Sequence, residues 1–209
     1  MKLQYGPAFS YPFKGKDWPK RLLWGCLYSL ILPLIFGYFI RAYRKIIHGE
    51  DKEPPDWDDM MDIFSHGMIG LFIVLIYIFL PFLLILTGYL LTGGGYYLIS
   101  SQGAVSFTAI LSLMIILLGF FLLFLALILL PMALAFYADS LEIMDSINLP
   151  QVAGRICDNI EDYFMALIVF SSVALATLGI FIFILPFSIF YLHLFFAYVF
   201  AQVYDMENQ

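Results

Sequence analysis

The sequence predicts an all-α integral membrane protein. It has four full transmembrane helices, a proline-broken first apolar segment and two amphipathic cytoplasmic interfacial helices. Three observations carry that prediction. Of 209 residues, 63% are hydrophobic and 12% charged, about half the roughly 25% charge a soluble domain carries. With 22 Phe and 14 Tyr, the chain has too little polar surface to face water all round. Met68 to Ala138 contains no Asp, Glu, Lys or Arg, which fits membrane spans and little else. Finally, an apolar segment interrupted by Pro33 has lysines and arginines at both ends.

Residues 1–21 form a basic segment with Lys2, Lys14, Lys16, Lys20 and Arg21. They contain no apolar core of the kind a signal peptide needs. The first apolar segment, Leu22–Ile40, is followed by Arg41, Arg44 and Lys45. If it crossed the bilayer, its two basic flanks would lie on opposite sides, against the tendency of Lys and Arg to stay cytoplasmic. An interior proline removes a helix hydrogen bond and favours a kink or break. A re-entrant hairpin broken near Pro33 keeps both flanks in the cytoplasm; a kinked fifth span is the alternative.

The cytoplasmic stretch 41–67 contains Pro54-Pro55 and then Asp56, a good N-cap. Trp57, Met60, Met61, Phe64 and Met68 follow at helical spacing, with Asp58, Asp59 and Asp62 off that face. This predicts an amphipathic helix lying at the interface. Spans are expected over 68–91 and 107–137, joined by an external, charge-free loop at 92–106. Residues 138–163 return the chain to the cytoplasm. A second amphipathic helix starts there at Pro150, with Val152, Ile156, Ile160 and Phe164 as its apolar stripe. The last apolar region breaks at Leu185-Pro186 into spans 164–185 and 187–204. The order then repeats weakly: an apolar helix with a proline (Pro33, Pro131), a polar extension, a proline-started amphipathic helix, and a long span ending at Pro81 or Pro186. All of this forms a single membrane domain, 1–209, with both termini cytoplasmic.

Three ordered patterns resemble the domain of unknown function 4013 family of small prokaryotic membrane proteins. The first is Ala8-Phe9-Ser10-Tyr11-Pro12-Phe13, then Asp17-Trp18, Lys20, Arg21-Leu22-Leu23 and Gly25. The second is Gly37-Tyr38-Phe39-Ile40-Arg41, Gly49-Glu50, Pro55-Asp56-Trp57-Asp58-Asp59 and Gly67. The third is Pro186-Phe187, closed by Ala201-Gln202-Val203-Tyr204. The chain departs from the family pattern at Tyr137–Asn148, which is unusually acidic here. The resemblance implies a helical fold in a prokaryotic inner membrane and nothing catalytic.

The residue chemistry points the same way. Arg41, Arg44 and Lys45 suit anionic lipid head groups, or serve as topology anchors alone. Trp57, Asp58, Asp59 and Asp62 form a surface for docking a partner; their spacing lacks the pattern of a calcium loop. Ser172, Ala176 and Gly179 form a small-residue stripe suited to helix packing. Gly93-Gly94-Gly95 has no following Lys-Ser/Thr and reads as a turn. His66 and His193 lie at different expected depths, which argues against a shared haem. Cys26 and Cys157 lie apart, without a metal-ligand pattern. No Asp, Glu, Lys or Arg sits inside a span, which disfavours an ion-coupled pump. No nucleophile–base arrangement supports hydrolysis, and the acidic balance argues against nucleic acid. The expectation is therefore a non-catalytic scaffold or accessory subunit without cofactor or metal. Its partners would be membrane lipids and other membrane polypeptides or itself. The alternative is a small-molecule or lipid carrier built on the weak repeat.

Overall fold

In the computed structural model, residues 5–50, 53–93, 107–180 and 185–205 are described, with the backbone alone for 178–180. The elements are α1 (Tyr5–Ser10), a 3-10 turn (Tyr11–Phe13), α2 (Trp18–Tyr28), α3 (Leu32–Ile47), α4 (Met60–Leu91), α5 (Phe107–Ser140), α6 (Ile143–Ile147), α7 (Leu149–Asp158), α8 (Ile160–Ile180) and α9 (Leu185–Asp205). Among the described residues there is no strand. α4, α5, α8 and α9 are each long and apolar enough to cross a membrane, as expected when every backbone group must be paired within its own segment. The chain is thus a membrane-embedded helical protein, in two compact units: 1–73 with 131–209, and 74–130.

The first unit is built around α9. Pro186 sits in its first turn, where no backbone donor is needed. α1, the 3-10 turn, α2, α3 and α8 all pack on this helix. α3 runs in the same sense: Tyr38 meets Phe190 (5.3 Å between ring centroids), while Phe39 and Tyr43 meet Phe196 (5.3 and 6.3 Å). α8 runs oppositely, with Tyr163 against Phe200 (5.6 Å) and Phe170 against Phe196 (4.9 Å). The N-terminal segment, expected only as a basic flank, folds onto α9 as well. Phe9 lies against Phe195 (4.9 Å) and Tyr11 against Tyr198 (5.1 Å).

The first apolar segment is broken, slightly earlier than Pro33. α2 ends at Tyr28, Ile31 is extended, and Pro33 enters the first turn of α3. The proline therefore starts a helix instead of interrupting one. α3 closes with Gly49 at φ +76°. The Gly49 N–H donates to the Ile46 carbonyl (3.0 Å) and the Glu50 N–H to the Lys45 carbonyl (2.8 Å), a Schellman ending that satisfies the last turn.

α3 and α4 cross at two glycines. A methyl group on Gly37 would overlap the Ile63 carbonyl oxygen, and one on Gly67 would overlap the Pro33 carbonyl oxygen. The backbones touch, which only residues without a Cβ permit.

The predicted interfacial helix from Asp56 is not formed. Residues 54–59 are irregular and α4 begins at Met60. Asp59, at φ +45°, takes the Asp62 N–H on its carboxylate (3.3 Å), so Asp59 and not Asp56 caps the helix. The helix then continues without interruption through Pro81 to Leu91, so Pro81 does not end the span. Its packed side is Ile63, Gly67, Gly70 and Ile73, while Met61, Phe64 and Met68 are exposed. The second amphipathic helix is shorter than expected. α7 is capped by Asn148 through the Gln151 N–H (3.4 Å) and buries Val152 and Ile156. A break at Asn159 separates it from α8, leaving Ile160 and Phe164 exposed.

The second unit pairs residues 74–91 of α4 with 107–130 of α5 as antiparallel neighbours. Gly88 lies against the Ser112 carbonyl and Ile116, and Gly119 against the Pro81 carbonyl and Ile85. Both helices are apolar on every side, as membrane spans are. The predicted loop 92–106 falls outside the described residues beyond Gly93.

Candidate functional site

The polar chemistry of the first unit converges on residues 53–59. Arg21, only 5% exposed, donates from Nη1 to the Lys14 carbonyl (3.0 Å) and from Nη2 to the Asp56 carboxylate (3.4 Å), with Glu53 at 3.7 Å. Arg41 donates from Nη1 to both the Asp58 carboxylate (2.6 Å) and the Asp58 carbonyl (3.0 Å). The residue before the first apolar segment and the residue after it therefore bind acids two positions apart.

Trp57 fixes this arrangement from inside. Its ring stacks on Tyr38 (4.1 Å, 18° between planes) and leans on Tyr28 (5.0 Å). Its Nε1–H donates to the Arg21 carbonyl (3.2 Å). The Tyr38 hydroxyl donates to the Pro55 carbonyl (2.6 Å). Beside it, a cleft of about 490 Å³ is lined by Lys20, Arg21, Trp24, Tyr28, Asp56 and Trp57 among others.

Burial pushes the Tyr43 hydroxyl, which donates to the Pro131 carbonyl (3.2 Å), well above the ordinary tyrosine value of 10.0, with Tyr163 and Tyr204 adding to it. The phenol folds in the neutral form. The stability it contributes is fully present below the ordinary value and is lost as pH rises past it, because only the unfolded chain then releases the proton. The melting temperature is thus expected to begin an alkaline fall at about pH 10. Substituting Tyr43→Phe should reduce the steepness of that fall in a pH series of thermal melts.

A second cluster lies on α4 and α5. His66 Nδ1 is 2.8 Å from the Tyr137 hydroxyl, and His66 Nε2 is 3.3 Å from the Asp62 carboxylate. With the proton on Nε2, the ring donates to Asp62 and accepts from Tyr137. Arg41, Arg44 and Leu141 close a cleft of about 250 Å³ beside it. Among the described residues no group of three His, Cys, Asp or Glu stands together as a metal set. His193 is elsewhere, its Nδ1 2.8 Å from the Ile189 carbonyl and its ring edge-on to Phe36 and Phe39.

A family model described as protein of unknown function (DUF4013) matches residues 24–187. The chain belongs to this family. No curated protein and no solved structure matches it. The DUF4013 match covers the second of the three sequence patterns, while most of the first and the end of the third lie outside it.

The predicted site residues of this DUF4013 protein fall in three places. Trp57, Asp58, Asp59 and Asp62 are each engaged within the chain, by Tyr38, Arg41, the start of α4 and His66 respectively. Arg41, Arg44 and Lys45 stand together near the end of α3. Ser172 and Ala176 are exposed on α8, with the Ser172 hydroxyl donating to the Ile168 carbonyl (2.8 Å). The Gly179 side of the stripe lies outside the described side chains. Sequence reasoning missed Arg21 and Tyr38 as site residues. Both sit in the quoted patterns, but nothing local signals that they meet residues 53–59.

Proposed function

We propose that this DUF4013 protein is a non-catalytic membrane scaffold or accessory subunit, docking partners through its helices and its cytoplasmic face. The observation that carries this reading is the contrast between its apolar helices. The most apolar stretch of α9 is 67% buried within the chain, whereas those of α4, α5 and α8 are 22%, 11% and 17% buried. One helix is enclosed as a core; three leave their sides to lipid or to another polypeptide. On α8 the open side includes Ser172 and Ala176, small residues over which a second helix backbone can approach closely.

The topology belongs to the same reading. Residues 22–40 enter the membrane as a re-entrant hairpin and return, with both termini cytoplasmic, in a prokaryotic inner membrane. The pairing of Arg21 with Asp56 and of Arg41 with Asp58 supports it, because flanks on opposite faces would stand about 30 Å apart. The exposed Leu23, Leu27, Leu30, Ile31 and Leu32 around the turn suit lipid contact. Purification in mild detergent from cells expressing the protein at native abundance tests the scaffold role. A defined polypeptide or a second copy is expected to co-purify; a strictly monomeric, partner-free protein would count against it.

A further inference from the structure

We propose that the basic stripe of α3 binds a phosphate-bearing anion, carried either by a lipid head group or by a soluble phosphate. Arg41, Arg44, Lys45 and His48 recur at helical spacing and line one side of an open cleft of about 490 Å³. The opposite side includes Pro55, Asp56 and Asp58. Two of those carboxylates are already engaged, Asp58 by Arg41 and Asp56 by Arg21. Neither Arg44 nor Lys45 has an ion pair among the described residues, which leaves two cationic heads for a phosphodiester monoanion.

Arg44 is the decisive residue. It lines both this cleft and the smaller one beside His66. Its Nη1 is shielded from solvent without a hydrogen-bond partner, although a buried donor left unmade costs roughly 1–3 kcal/mol. The Arg44 side chain is half-buried overall, so turning its guanidinium into the open cleft lets a phosphate oxygen supply the missing acceptor through a charge-assisted bond. The usual alternative role for basic residues at a helix end is to satisfy its last carbonyls. Gly49 and Glu50 already do so for Lys45 and Ile46. The inference does not depend on the scaffold reading, since a site of this kind could serve a carrier equally.

The test uses the full chain in a neutral detergent, with melting temperature as the readout. One arm adds inorganic phosphate. The other adds phosphatidylglycerol to the micelle, with phosphatidylcholine as the uncharged comparison. Stabilisation by inorganic phosphate assigns a soluble ligand, and stabilisation by phosphatidylglycerol alone assigns a lipid head group. No stabilisation of the wild-type chain in either arm overturns the proposal whatever the variants do. R44Q/K45Q is expected to lose at least about tenfold in affinity. K45Q serves as the milder variant if the double one does not fold, and is expected to weaken binding too. K16Q/K20Q removes the same charge from the other flank and should bind as the wild type does. Equal loss in both double variants would show diffuse attraction in place of a site and would also overturn the proposal.

Discussion

Gly37→Leu is expected to abolish the folded state of the first unit, and Gly67→Leu to do the same from the opposite helix. Each glycine faces the backbone of its neighbour: Gly37 meets the Ile63 carbonyl and Gly67 the Pro33 carbonyl, with the Gly37 N–H group also close to Gly67. The nearest atoms in both cases are backbone, which cannot rotate aside as a side chain could. A Cβ can be accommodated only by moving α3 and α4 apart. Separation would also uncover Ile63, which is 1% exposed, and Ile40, also 1%. Overpacking typically costs roughly 1–3 kcal/mol, and a backbone-to-backbone clash belongs at or above the top of that range. Gly154, with open space around it, provides the control: Gly154→Ala lies inside α7 and should be neutral or slightly stabilising. Monodisperse elution and a cooperative melt in detergent distinguish these outcomes. A Gly37→Leu protein that melts like the wild type would refute the crossing.

The second large effect is expected from Trp57→Ala. The indole joins α2 to α3 through Tyr28 and Tyr38, lies 6.0 Å from Phe190 of α9, and donates to the Arg21 carbonyl. Removing it leaves a gap among three helices and takes one hydrogen bond from the Arg21 carbonyl. Large-to-small aromatic substitutions in cores cost about 3–5 kcal/mol. Trp57 keeps part of its surface in solvent, so about 3 kcal/mol is the expected loss. Trp57→Phe should recover most of the stacking and lose only the hydrogen bond to Arg21, about 1 kcal/mol. The order wild type, Phe, Ala in melting temperature checks the assignment. If Trp57→Ala leaves stability unchanged but abolishes co-purification of a partner, Trp57 is a docking residue instead.

The spans were legible in the sequence because hydropathy and length suffice to mark a helix that can cross a membrane. What hydropathy cannot distinguish is lipid from protein as the surroundings. The best stretches of α8 and α9 have the same mean hydropathy, 1.5, yet one is 17% and the other 67% buried. The break in the first apolar segment was also legible from Pro33, though its position was not, since a proline suits a helix start as well as a helix end. The helix start at Asp56 was misread for a tertiary reason. Pro55 is held by the Tyr38 hydroxyl and Trp57 by two tyrosines from other helices, so the chain cannot coil there and the cap moves to Asp59. Local capping preference was outweighed by contacts far away in sequence. The candidate site was legible in part: its residue types were visible near the end of α3, but the pairing of Arg21 and Arg41 with one loop was not. The buried, unpartnered Nη1 of Arg44 depends on packing that no local pattern encodes.

The central claim is that both basic flanks of the first apolar segment lie on one face of the membrane. Labelling of single cysteines placed at Lys16 and at Glu50, with Cys26 and Cys157 replaced, tests it most directly. An impermeant maleimide is applied to intact cells and to permeabilised ones. Neither cysteine is expected to react in intact cells, and both after permeabilisation. Reaction of one from outside and of the other only after permeabilisation would place the flanks on opposite faces, and the segment would then be a fifth span.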